Sequence, residues 1–117
     1  MAVKEIDVEV KDQEGNTHIT HIEVNEEERK GKIGVGDLET TLTDLRRSED
    51  GQKMVGKTKY SSIILKVTIT IDCEDEPPDI EIVAKKWPIT KKYTYVFTHE
   101  EQDKLVEWIK GLDIPIL

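Results

Sequence analysis

Only one stretch of this chain carries an unambiguous helical period, and it lies near the end: THEEQDKLVEWIKG, residues 98–111. Leu105, Trp108, Ile109 and Leu112 fall at i, i+3, i+4 and i+7, so they share one apolar stripe. Glu100, Glu101, Asp103, Lys104, Glu107 and Lys110 take most of the remaining surface. Thr98 can cap the start, and Glu101 completes the pattern of a capping box. Acids in the first turn and Lys110 in the last suit the helix dipole. Gly111 is placed to end the helix in a left-handed conformation. A single amphipathic helix cannot bury its stripe alone. The segments before it must supply the sheet or barrel on which it lies.

Those segments alternate. In residues 2–10, Ile6, Val8 and Val10 face one way and Glu5, Asp7 and Glu9 the other, which is the pattern of a half-buried strand. Asp12, Gln13, Glu14, Gly15 and Asn16 are turn formers, and residues 17–24 resume the strand, making a hairpin. Residues 25–30 form a charged connection. Ile33 and Val35, set among Gly31, Gly34 and Gly36, read as a short strand with glycine kinks. Residues 37–47 are two-sided. Leu38, Leu42 and Leu45 have helical spacing behind Asp37, whereas the threonines favour a strand, which is the preferred reading. Residues 48–51 turn, 53–57 form a short edge strand, and 60–72 form a long strand with Ser61, Ile63, Leu65, Val67, Ile69 and Ile71 on one face. Pro77 and Pro78 interrupt it, since proline cannot donate to a ladder. Residues 80–87 are another strand, and Trp87-Pro88 turns the chain. The expected fold is α+β and mainly β. It is an antiparallel open barrel or bent sheet of about six or seven strands closed by the C-terminal helix, 98–111, in one domain spanning 1–117.

Tyr93, Thr94, Tyr95, Val96 and Phe97 run into Thr98 and on to Leu105, Val106, Glu107, Trp108 and Ile109. This passage from strand to helix, with a tryptophan on the apolar stripe, resembles the pleckstrin-homology-like family. The resemblance implies a seven-stranded barrel plugged by the helix, and a non-catalytic scaffold that binds proteins or lipids. The lipid-binding version places a basic cluster around the first hairpin loop. Here that loop is Asp12, Gln13, Glu14, Gly15 and Asn16, so headgroup binding does not carry over.

Three patterns bear on chemistry. Gly51, Gln52, Lys53, Met54, Val55, Gly56, Lys57 and Thr58 fit G-x-x-x-x-G-K-[ST], the phosphate-cradling loop. That loop requires a buried parallel strand before it and a helix after it, and the chain shows neither there. Nucleotide binding through residues 51–58 is therefore the third choice of function. His18 and His21 are three apart on a strand, point to opposite faces and cannot share one metal ion. His18-Ile19-Thr20 matches half of a two-histidine phosphoesterase signature, but His99 is followed by Glu100 and Glu101, so the second half is missing. Asp72, Glu74, Asp75, Glu76 and Asp79 cluster with spacing that fits no calcium loop. They read as a solvated acidic loop or a contact for a basic partner. Cys73 has no base near it in sequence, so it reads as a small residue at a strand end. No catalytic, cofactor or metal set is expected.

The net charge of −8 and pI of about 4.9 disfavour nucleic acid and anionic membranes as partners. A single cysteine excludes an intrachain disulfide and fits a reducing cytoplasm. The leading expectation is a non-catalytic protein-interaction module. Trp87 and the acids Glu74, Asp75, Glu76 and Asp79 are its candidate partner-binding residues, with Trp87 partly exposed. The alternative is a small acidic inhibitor of a nucleic-acid enzyme or defence factor, using residues 26–28 and 72–79. Trp108, on the apolar stripe, is expected in core or barrel-end packing, with Trp108→Ala costing about 3–5 kcal/mol.

Overall fold

A computed structural model describes residues 3–35, 38–60, 65–86 and 88–117. Eight strands run in chain order: β1 (Val3–Lys11), β2 (Thr17–Asn25), β3 (Lys30–Val35), β4 (Leu38–Arg47), β5 (Lys53–Tyr60), β6 (Leu65–Asp72), β7 (Asp79–Lys86) and β8 (Ile89–Val96). One helix, α1 (His99–Lys110), follows. Each strand pairs antiparallel with the next, and β8 returns to β1, so the sheet is a closed barrel. The expected mainly β fold with one C-terminal helix is present. The count of six or seven strands and the open or bent sheet are corrected to eight strands and closure.

Two segments also differ from the expectation in their bounds. The long strand expected over 60–72 is divided. Tyr60 ends β5 and stands opposite Leu65 of β6, while residues 61–64 lie outside the described residues. The short edge strand expected at 53–57 is a full central strand, paired with β4 on one side and β6 on the other. Residues 38–47 are strand despite the helical spacing of their leucines. The ladder between β4 and β5 shifts register between Thr43 and Arg46, and Asp44 has φ 53°. This bulge offsets the two-residue alternation, so Leu42 and Leu45, three apart, both point inward and are buried. Gly56 on β5 makes room for them. A Cβ there would lie 2.9 Å from Leu45 Cδ2 and 3.1 Å from Leu42 Cδ1.

The lower part of the barrel is filled by Val8, Val10, Ile22, Val24, Leu42, Leu45, Met54, Ile69, Ile71, Ile80 and Phe97. Against them α1 buries Leu105 and Ile109, and Leu112 follows just beyond the helix. Trp108 is half-buried and packs against the edge of this core, the barrel-end placement among the two expected for it. Thr98 caps the helix, accepting from the Glu101 amide at 3.4 Å. The Glu101 carboxylate does not complete a capping box. It accepts the Glu9 amide of β1 at 2.9 Å instead. Gly111 ends the helix at φ −84°, in the right-handed region, because the chain continues inward to Leu112 rather than reversing.

The tail after α1 is tied to the barrel. Arg47 Nε donates to Leu112 O at 2.8 Å, and the Arg47 and Leu117 amides donate to Pro115 O and Arg47 O. Glu26 accepts the Asp113 amide at 2.5 Å and pairs with Lys4 at 3.3 Å. The Asp113 amide, with help from Lys4, holds the Glu26 carboxyl below its ordinary range. β1 and β8 meet in register only at Lys11 and Val96 among the described residues. The rest of β1's outer edge lies beside α1.

Candidate ligand cavity at the open end of the barrel

With α1 closing one end, the interior remains unfilled toward the other. A cavity of about 450 Å³ lies between β3, β4, β6, β7 and β8. Its walls are mainly apolar: Ile33 and Val35 from β3, Val67 from β6, Ile82 and Ala84 from β7, and Ile89 and Tyr93 from β8, with Thr40 of β4. An eight-stranded barrel is just wide enough either to be filled by side chains or to hold one small ligand. This one does the first below and leaves room for the second above.

Two lysines also line the cavity, Lys86 and Lys91. Strand alternation explains why they point in. On β7 the inward set is Ile80, Ile82 and Ala84, and Lys86 continues it. On β8 the inward set includes Tyr93, and Lys91 continues it toward the rim. Ala84 stands opposite Lys91, and Lys86 stands opposite Ile89, so the lysines are diagonal neighbours on successive rungs. No carboxylate lines the cavity among the described residues, and neither lysine makes an ion pair there. The nearby Lys92 points outward and pairs with Glu81 at 3.1 Å. Two cations of like sign above an apolar chamber form a site for a compensating anion.

The interior holds one polar group without a partner. Thr20 is fully buried, and its hydroxyl has no hydrogen-bonding partner among the described residues. It stands opposite Val35, one of the cavity's lining residues. Opposite Val10, His18 Nε2 donates to Asp12 Oδ2 at 2.8 Å and the ring meets the Tyr95 ring edge-on at 6.3 Å. The His18 bond is the largest influence holding Asp12 below its ordinary carboxylate range.

The residues singled out from sequence do not converge on this cavity. Trp87 lies outside the described residues. Glu74, Asp75 and Glu76 are exposed on the connection between β6 and β7, at the helix end of the barrel. Asp79 is separated from them in environment. It is half-buried at the start of β7, opposite Asp72 and Val96. Burial first, then Asp75, Glu81 and Asp72, push its carboxyl up to about 6. In residues 26–28, Glu26 is engaged by Lys4 and Asp113, whereas Glu27 and Glu28 are exposed. Cys73 is buried, and desolvation pushes its thiol up to about 12, which leaves it inert at neutral pH.

The segment matching a phosphate loop is a turn followed by a strand. Gly51, at φ 77°, passes beneath α1, where a Cβ would lie 2.8 Å from Val106 O. From Lys53 onward the chain is β5, paired on both sides. Its amides serve the ladders and do not wrap an anion. Lys57 and Thr58 line a polar cleft with Thr43, Asp44 and Lys66 where β4 diverges above its bulge.

Lys86 and Lys91 went unremarked in the sequence although the signal was present. They share parity with Ile82 and Tyr93, which alternation places inward. The fold and cavity define a class: a small closed β-barrel with one end plugged and an internal chamber with a cationic rim. Comparison with known proteins adds no relative, since no family model, no curated protein and no solved structure matches the chain.

Proposed function

We propose that this protein is a non-catalytic binding protein whose barrel cavity holds a small amphiphile with an apolar body and an anionic head. The observation that carries the reading is the pair Lys86 and Lys91 on the rim of an otherwise apolar cavity. Its volume of about 450 Å³ falls within the range of small-ligand sites. Burial of the apolar body supplies affinity, and the lysines orient the head outward. The buried Cys73 thiol, pushed up to about 12, is no nucleophile at neutral pH, which accords with a binding role.

The test is calorimetric titration with decanoate, decanol and decylammonium. Decanoate is expected to bind best. Hydrogen bonds to charged groups contribute about 1.5–3 kcal/mol, so Lys86→Ala with Lys91→Ala should weaken decanoate by at least about tenfold and leave decanol unchanged. Equal binding of all three probes would remove the role of the lysines, and binding of none would remove the cavity reading.

A protein-interaction module remains the second reading, and one observation favours it. The outer edge of β8 from Ile89 to Tyr95 has no strand partner among the described residues. An extended peptide can add to such an edge by main-chain hydrogen bonds. Lys91 and Lys92 lie on that strand, so an acidic peptide is the fitting partner. A helix at one end of a barrel also accords in outline with the pleckstrin-homology-like resemblance. A cytoplasmic location fits the single reduced cysteine, and no helix among the described residues is long and apolar enough to cross a membrane.

A further inference from the structure

On the outer face of β1 and β2, away from the cavity, three carboxylates meet around one imidazole ring. Asp7 stands opposite His21, and Glu5 stands opposite Glu23. His21 Nδ1 lies 2.5 Å from Asp7 Oδ1. Its Nε2 lies 3.1 Å from Glu23 Oε1 and 3.9 Å from Glu5 Oε1. One donor atom from each of Glu5, His21 and Glu23 falls within 4.8 Å of the other two. Like charges placed directly opposite across an antiparallel pair destabilise it, so Glu5 and Glu23 favour a cation between them.

Gly34 on β3 is the other cross-strand neighbour of His21, and without a side chain it leaves that flank of the ring open. The result is a surface depression of about 160 Å³, bordered by His21, Glu23, Lys32 and Glu39. Lys32 stands opposite Glu23 yet makes no ion pair with it among the described residues.

We propose that Glu5, His21 and Glu23 bind one divalent transition-metal ion of the zinc class, with Asp7 as the positioning residue for His21. With the ring proton on Nδ1 and donated to Asp7, the Nε2 lone pair faces the two glutamates. A carboxylate behind a ligating histidine fixes both its tautomer and its orientation. One imidazole and two carboxylates suit zinc, and three protein donors leave a position for water. Calcium and magnesium prefer oxygen-only sets and gain nothing from the imidazole. The competing state is a protonated His21 bridging Asp7 and Glu23 with no metal. Metal and proton therefore compete for Nε2. The groups facing the ring are Glu5 and Asp7 on β1, Glu23 on β2, Lys32 on β3 and Glu39 on β4.

The experiment is calorimetric titration of the metal-free chain with ZnCl₂, with CaCl₂ in parallel. Far-UV circular dichroism establishes that each variant is folded. One zinc ion per chain is expected at pH 7.5, with affinity falling as protons displace the metal on acidification. His21→Gln should weaken zinc by about 100-fold and Asp7→Asn by at least about tenfold, while His18→Gln should leave it unchanged. The proposal is overturned if zinc does not bind or if His21→Gln binds it as wild type does. It is equally overturned if calcium binds as tightly as zinc, because the cluster would then be only an acidic patch. The cavity's binding of decanoate is a separate measurement, and neither result depends on the other.

Discussion

Thr20 is a fully buried hydroxyl among apolar strands, with no partner among the described residues. Burying an unsatisfied polar group costs on the order of 1–3 kcal/mol. Thr20→Val keeps the branched shape and removes the cost, so the variant should be about 1 kcal/mol more stable in urea unfolding. Loss of stability would show that the hydroxyl has a bonding partner in solution. Asp79 offers a test against pH. Its folded-state pKa of about 6 lies above the ordinary value of about 3.9, so the folded state holds this proton more tightly than the unfolded chain. The resulting stabilisation is present below about pH 4 and is lost as the pH rises through about 6. Asp79→Asn removes the titration. The variant should melt higher than wild type at pH 7 and converge with it at pH 4. A constant difference across that window would place the pH dependence elsewhere. Single residues were the least legible part of the sequence. Asp79 read as one of a group of loop acids, because its half-buried place in β7 depends on pairing with Val96 of β8, which no local pattern contains.

At the scale of elements, the helix and most strands were legible, since each is written in its own period. The β4 leucines show where that fails. A bulge at Asp44 let a strand carry an i, i+3 pair of buried residues, which is also a helical signature. The missing information was in the partner strand, where Gly56 has no side chain and admits both leucines. The apolar stripe of α1 was placed correctly at Leu105, Ile109 and Leu112 but is narrower than expected, leaving Trp108 at its border. Leu105→Ala should therefore cost about 3 kcal/mol, within the usual range for a buried leucine, and Trp108→Ala about 2 kcal/mol rather than 3–5. Denaturant midpoints of the two variants decide this. The reverse ranking would mean that the helix is rolled toward its tryptophan.

For the whole molecule, closure of the barrel was beyond the reach of local reading. It rests on the pairing of all eight strands in turn and, among the described residues, on one register pair between the first and the last. The cavity follows from that closure. The residues that fill the helix end leave the other end lined but unfilled, and two lysines face inward in a chain whose net charge is −8. An anionic ligand must approach against this overall charge. Its capture by Lys86 and Lys91 should therefore strengthen at moderate salt, where long-range repulsion is screened more than close pairing. The site's visible sequence signal was parity alone.

The meeting of β1 with β8 has a consequence for how the molecule breathes. A barrel hydrogen-bonded all the way round has no end from which to unravel, but this one has a seam. Among the described residues only Lys11 and Val96 pair across it, and beside them the Glu9 amide is held by a side chain of α1. Local opening with amide exchange begins where the fewest bonds must break together. That place borders β8, which carries Ile89, Lys91 and Tyr93 of the cavity wall. On the proposed function, a bound molecule would leave past the unpaired edge of β8 as well as through the mouth, so its escape would not be set by the width of the rim alone.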